Sequence, residues 1–278
     1  MKPNEIGVFL KCTGIQDPEK ALAAVKELGL NVIQVSKLPD EYYSEEGARR
    51  FVELLERYGI KASSVVIVHE GERYSNWQTV EKTVGYLPPE TLQDRLEYSR
   101  RCIDFAAAVG APTVTTHMGV LPHDSSAAGY QRLLGAVREV ASYCKSREVI
   151  LALETGQETA AELVEFIDHV GEDVKVNFDG ANFIIYGLDD PLEALEILKD
   201  LIVSVHAKDG LPPTEPGLLG KEVPLGEGKA EVCKIVRNLV RSGYAGPFIM
   251  EIYAGTDRLL ELRKGKAFLE NCLSFRRI

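Results

Sequence analysis

Four side chains in the second half of the chain stand where a charge or an imidazole is costly. Glu154 closes the apolar run VILALE (149–154) and Asp179 closes VKVNFD (174–179). His206 falls near the end of LIVSVHA (201–207), and Glu251 interrupts PFIMEIY (247–253). Runs of Val, Ile and Leu bury their neighbours, and a lone buried charge is expensive unless it is paired or bound to a metal. Taken one at a time, a Glu at a run's end is more often a solvated or salt-bridged group, and a His a hydrogen-bonded one. Four on successive runs are better explained by a shared centre. Three carboxylates and an imidazole make a mixed oxygen and nitrogen set for one divalent cation, Mn2+ first, with Zn2+, Mg2+ or Co2+ as alternatives.

Such a set needs a scaffold that aims several strand ends at one point. Short Val- and Ile-rich runs recur at 6–10, 31–36, 62–68, 112–117, 149–154, 174–179, 201–207 and 247–253. They read as strands buried on both faces. Amphipathic stretches follow them at 18–30, 47–59, 89–110, 127–147, 158–170, 190–200, 229–242 and 257–275. Asp17-Pro18 marks the first helix start, and Gly29, Gly59 and Gly110 mark stops. Alternation of this kind implies parallel strands joined by crossover helices. Eight units within 278 residues favour an α/β fold of one closed (β/α)8 TIM barrel, a single domain over 1–278; the runner-up is a doubly wound sheet. Barrel enzymes build their sites at the C-terminal ends of the strands, which is where all four candidate ligands fall. The long connections 69–88 and 208–228 lie on that face and read as lids or binding walls.

Other residues, read as candidate substrate contacts, point to the same mouth. His117 ends the fourth run and His69 follows the third. Lys208, in HAKD, is placed to hold a substrate oxygen or phosphate, or to pair with a carboxylate such as Glu251. Tyr74 and Trp77 can cap a sugar ring or pack on the barrel. PLGEGK (224–229) lacks the Walker spacing, so its glycines read as a tight turn and not as a phosphate loop. His123 and His169 read as surface residues.

Bulk properties narrow the class. A hydrophobic content of 45% and a charged content of 27% suit a globular protein with a large core. A net charge of −10 argues against a nucleic-acid surface. Cys12, Cys102, Cys144, Cys233 and Cys272 are scattered and odd in number, which reads as reduced thiols. The opening residues lack a signal-peptide run, and no stretch approaches a transmembrane helix. The expectation is a soluble, cytoplasmic protein with no membrane partner. Exposed apolar helix faces or loop tips would allow a homo-oligomer.

Several segments carry a resemblance: TVTTHMG (113–119), ALETG (152–156), VNFDGAN (176–182), SVHAKDG (204–210) and PLGEGKAEVCKIVRNLVRSGYAGPFIMEIY (224–253). They resemble the xylose isomerase-like superfamily of (β/α)8 barrels, which includes sugar isomerases, ketose 3-epimerases, inosose dehydratases and abasic-site endonucleases. HAKD and the GEG to MEIY stretch are the most specific. The resemblance implies that Glu154, Asp179, His206 and Glu251 bind the metal, and that Glu154 and Glu251 also move protons. It further implies substrate contacts at His117 and Glu158. Relatives often carry His three residues after the Asp of strand six, where this chain has Asn182. The endonucleases need further histidines after strand seven, and the 208–228 loop has none.

These readings converge on a metal-dependent isomerase or epimerase in carbohydrate metabolism. It would act on a sugar or sugar-derived keto compound by proton transfer through an enediolate. The alternatives are an inosose-dehydratase-type lyase and a non-catalytic sugar- or metal-binding barrel. A metal-dependent endonuclease comes last.

Overall fold

The computed structural model describes residues 4–215 and 217–274; Pro216 and Phe275 of the expected loop and last helix lie outside them. The strands are β1 (Ile6–Phe9), β2 (Val32–Val35), β3 (Lys61–Ile67), β4 (Thr113–Thr116), β5 (Ile150–Glu154), β6 (Val174–Asp179), β7 (Ile202–Ala207), β8 (Asp209–Leu211), β9 (Lys221–Val223) and β10 (Phe248–Met250). A closed barrel forms in the order β1-β10-β7-β6-β5-β4-β3-β2, every neighbouring pair that meets in it being parallel. The expected closed (β/α)8 barrel is the observed one.

The expected crossover helices are α1 (Pro18–Glu27), α2 (Glu45–Tyr58), α4 (Leu92–Ala108), α5 (Ala128–Ser146), α6 (Ala160–Val170), α8 (Pro191–Leu198), α9 (Val232–Arg241) and α10 (Arg258–Leu273). Local chemistry sets their ends. Asp17 accepts from Lys20 N at 2.8 Å with Pro18 in the first turn. Thr159 and Glu162 form a capping box on α6. Gly59 ends α2 at φ 62°, a conformation that a Cβ disfavours.

Among the described residues, two α-helices fall outside the alternating pattern. α3 (Trp77–Thr83) occupies the 69–88 connection, and α7 (Gly180–Tyr186) starts directly after β6. The 208–228 connection is an antiparallel hairpin, Asp209 pairing with Val223 and Leu211 with Lys221. Val80, Val84 and Tyr186 form a small apolar cluster with Trp77, Leu188 and Leu219 packed against it. That cluster ties α3, α7 and the hairpin connection into a roof over one end of the barrel.

Beneath the mouth, the barrel interior is polar. Gln34 on β2 donates to Ser204 Oγ on β7 at 2.9 Å, and these strands are not neighbours, so the bond spans the barrel. Ser64 and Thr115 hydroxyls lie 3.0 Å apart on β3 and β4. The buried Asn177 amide has no protein partner on either atom.

The cysteine reading needs correction. Cys233 and Cys272 form a disulfide joining α9 to α10, while Cys12, Cys102 and Cys144 are free and buried. Helix packing brings residues 39 apart in sequence together, which spacing alone did not reveal. The cysteines therefore give no argument for a reducing compartment. Among the described residues, no helix is long and apolar enough to cross a membrane.

Candidate active site

The strand ends deliver the four expected side chains to one place. Glu154 and Asp179 are the last residues of β5 and β6, and His206 is the last but one of β7. Glu251 lies one residue beyond β10, which is shorter than the apolar run around it. Register puts Asp179 directly beside His206. One ligand atom from each of the four lies within 4.8 Å of every other. His206 Nδ1 is 3.1 Å from Glu154 Oε1, 3.1 Å from Glu251 Oε2 and 3.9 Å from Asp179 Oδ2. All four residues are buried.

The imidazole is oriented from behind. His206 Nε2 lies 2.6 Å from Gln34 Oε1. An amide oxygen only accepts, so Nε2 carries the hydrogen. The Gln34 amide is fixed in turn, because its NH2 donates to Ser204 Oγ. Nδ1 is thereby left facing the carboxylates, as an outer partner does for a metal-binding histidine.

Asp179 divides its oxygens. Oδ1 caps α7, accepting from Ala181 N at 2.9 Å and Asn182 N at 3.2 Å. Oδ2 has no hydrogen-bond partner and lies 3.5 Å from Lys208 Nζ. Thr155 Oγ1 pins the strand end, accepting from Asp179 N at 2.8 Å and donating to Asp179 O at 3.0 Å. An orphaned, buried carboxylate oxygen beside two more carboxylates and an oriented imidazole is a donor set that fits a divalent cation.

The electrostatics agree. Burial pushes Asp179 up to about 7, with Lys208 opposing. Burial also raises Glu154 and Glu251, but the former is overruled by His117 and His206 and the latter by Lys208 and His206, so both stay below the usual range. Burial would lower His206, but Glu154 and Glu251 hold it well above the ordinary imidazole value. The carboxylates thus gather positive charge. Lys208 Nζ lies 3.2 Å from Glu251 Oε2 and 3.3 Å from Asn182 Oδ1, and Asn182 Nδ2 donates to Thr155 O at 2.9 Å. Asn182, where relatives often have His, therefore bridges Lys208 to the end of β5.

A cavity of about 400 Å³ opens over the quartet. Glu154, Glu251, His117, Lys208 and Asn182 form its polar floor. Phe9, Tyr74, Tyr186 and Tyr253 supply aromatic wall, and Lys11 and Glu222 stand among the lining residues. His117, one residue beyond β4, has Nε2 3.4 Å from Glu154 Oε1. Its ring sits 5.8 Å from that of Tyr74, whereas Trp77 packs edge-on to Tyr186 in the roof at 5.2 Å.

Two expected substrate contacts lie elsewhere. His69 lines a separate cavity of about 640 Å³ with Tyr43, Arg95 and Tyr98. Two residues past β3, its ring is packed 4.9 Å from that of Tyr86 and 6.1 Å from that of Tyr98. Burial first, then Arg95 and Lys37, push it down to about 3, so it is neutral. Glu158 is buried and does not line the active-site cavity. Burial pushes it up to about 8. His123 and His169 are exposed.

Sequence reasoning passed over Gln34, although the signal was present: a polar residue inside the apolar run NVIQVS, as Glu251 is inside FIMEIY. It also passed over Asp209. That carboxylate accepts from Gly210 N at 2.9 Å and from Gly226, Gly228 and Ala230 N at 3.0 Å each. A Cβ at Gly228 would come 2.0 Å from Asp209 Oδ1, so only glycine fits. In HAKD, His206 and Lys208 serve the site while Asp209 folds the PLGEG turn.

Comparison with known proteins agrees with this architecture. The family model described as xylose isomerase-like TIM barrel matches residues 22–272. A xylose isomerase domain protein from Planctomyces limnophilus superposes with a TM-score of 0.89 at 29% identity, covering 98% of this chain and 97% of that one. A xylose isomerase-like TIM barrel protein from Mycobacterium smegmatis, solved in complex with magnesium, gives a TM-score of 0.74 at 22% identity, with 98% and 97% covered; at that identity the likeness is one of fold. L-ribulose-5-phosphate 3-epimerase of Escherichia coli is 37% identical over 71 residues, 25% of this chain and 23% of that enzyme's length. The breadth of the family match, over a chain that folds as a closed eight-stranded barrel, means that this chain belongs to the xylose isomerase-like TIM barrel family.

Proposed function

We propose that the protein is a divalent-metal-dependent epimerase or isomerase acting on a sugar or sugar-derived keto compound. The observation that carries this is the pair Glu154 and Glu251. Both line the cavity and both reach His206 Nδ1 at 3.1 Å, yet they come from strands separated by β6 and β7. Glu154, Asp179, His206 and Glu251 would hold the cation, Mn2+ in the first instance. When bound, such a cation acts as a Lewis acid that stabilises negative charge developing on a substrate carbonyl oxygen.

The chain's own residues do the rest. One glutamate takes the proton from the carbon beside the carbonyl, and the other delivers a proton to the opposite face of the planar enediolate. His117 beside Glu154 and Lys208 beside Glu251 favour the ionised form of the glutamate that accepts, while the one that delivers enters the step carrying a proton and leaves it ionised. Both also line the cavity, where they are the proposed substrate contacts. The aromatic wall and the roof keep bulk water from a carbanionic centre. A cavity of about 400 Å³ suits a monosaccharide and not a polymer.

The test is solvent-deuterium exchange into ketopentoses and ketohexoses by protein loaded with Mn2+. The expected result is exchange at one carbon, with a product heavier only by the deuterium taken up. Loss of water from the product would instead assign a dehydratase. Sugar binding with no exchange at any carbon would overturn the catalytic reading in favour of a binding barrel.

A further inference from the structure

We infer that the active-site cavity selects an unphosphorylated sugar, and that Glu222 enforces this by accepting a hydrogen bond from a substrate hydroxyl. The inference rests on the function proposed above and narrows its substrate class. Glu222 lies on β9, in the hairpin that follows the metal-site strand β7, and lines the cavity. Its Oε1 accepts from the backbone N–H groups of Tyr253 and Ala254, just beyond Glu251. Those two bonds fix the side chain. Oε2 has no hydrogen-bond partner among the described residues and is available to a ligand. A carboxylate oxygen accepts from a hydroxyl and repels a phosphate dianion, so one group supplies both the attraction and the discrimination.

The rest of the lining offers a phosphate little. Among the described residues, no arginine lines the cavity. Lys208 is committed to Glu251, Asp179 and Asn182. Lys11 is exposed, its ammonium 5.9 Å from the centre of the Tyr253 ring. The start of α7, which follows directly on Asp179, already has that carboxylate on its free amides. Gly220 N is spent on Ile185 O at 2.7 Å. Phosphate sites draw on arginine forks or open helix N-termini, and this wall presents a carboxylate instead.

The experiment compares ketopentoses and ketohexoses with and without a terminal phosphate. Binding to Mn2+-loaded protein is read by calorimetry, and turnover by deuterium exchange. Glu222→Gln is the informative variant, because its amide oxygen can still accept from Tyr253 and Ala254 while an NH2 replaces Oε2. An unchanged melting midpoint would show that the hairpin is intact. Free sugars are expected to bind at least about tenfold more tightly than their phosphates. Glu222→Gln is expected to raise KM for the free sugar about tenfold with little change in kcat, and to narrow the gap to the phosphate. Tighter binding of the phosphates by wild type would overturn the inference and leave the epimerase reading standing. So would a Glu222→Gln variant with unaltered KM and unaltered discrimination. Preferential binding of free sugars without exchange would do the reverse, removing the epimerase and keeping the selectivity.

Discussion

Gln34 and His206 are joined across the barrel at 2.6 Å, and the glutamine's other end is tied to Ser204. The contact decides which imidazole nitrogen faces Glu154, Asp179 and Glu251. Gln34→Leu should lower Mn2+ affinity by roughly 10- to 100-fold, the usual cost of losing such an outer partner. Titration calorimetry on chelator-treated protein would measure it. Affinity unchanged in a folded variant would show that the carboxylates alone orient the cation.

Removal of either proposed proton carrier should be more damaging to turnover than to fold. Glu154→Gln and Glu251→Gln are each expected to reduce deuterium exchange by at least about 100-fold, the lower range for a positioned acid or base. Exchange retained in both would end the two-glutamate assignment.

Metal should also stabilise the fold, because on the proposed reading it would bind the assembled quartet and not the unfolded chain. At about 100-fold excess over Kd the gain is about 2.7 kcal/mol, seen as a rise in melting temperature on adding Mn2+. His206→Ala should abolish that rise. A rise that survives the substitution would place the ion elsewhere.

Glu158 gives a prediction in pH. Burial raises its folded-state value from an ordinary 4.5 to about 8. Between those values the folded state holds a proton that the unfolded state has lost, so stability falls as pH rises. The contribution is fully present below about 4.5 and gone above about 8. Glu158→Gln should flatten this slope and gain on wild type, on the order of a few kcal/mol, near pH 8. Urea unfolding at pH 5 and pH 8 would decide; equal slopes in the two proteins would show that Glu158 is solvated.

The barrel and the gathering of Glu154, Asp179, His206 and Glu251 were legible because both follow from a repeat. Eight apolar runs alternate with amphipathic stretches, and four of those runs carry an anomalous polar residue at or near the C-terminal end. What the pattern hid was non-repeating. The apolar GANFIIY after Asp179 has no amphipathic period, yet Asp179 caps it as α7. His69 looks equivalent to His117 in its distance from a strand, but a turn of two residues instead of one sends it into a different cavity. The Cys233–Cys272 disulfide and the seat of Glu222 against Tyr253 depend on how helices and hairpin close in space. Gln34 was the avoidable omission, since it broke an apolar run just as Glu251 did.

The roof has an optical consequence. Trp77 is the chain's only tryptophan, and its indole meets Tyr186, whose ring forms part of the cavity wall. Excitation at the red edge of the near-ultraviolet, beyond tyrosine absorption, therefore selects a single emitter placed one ring away from the cavity. Its intensity and wavelength should follow sugar entry in the unmodified protein, with no label attached. A stopped-flow trace at that wavelength would separate the arrival of substrate from the proton transfers that come after it.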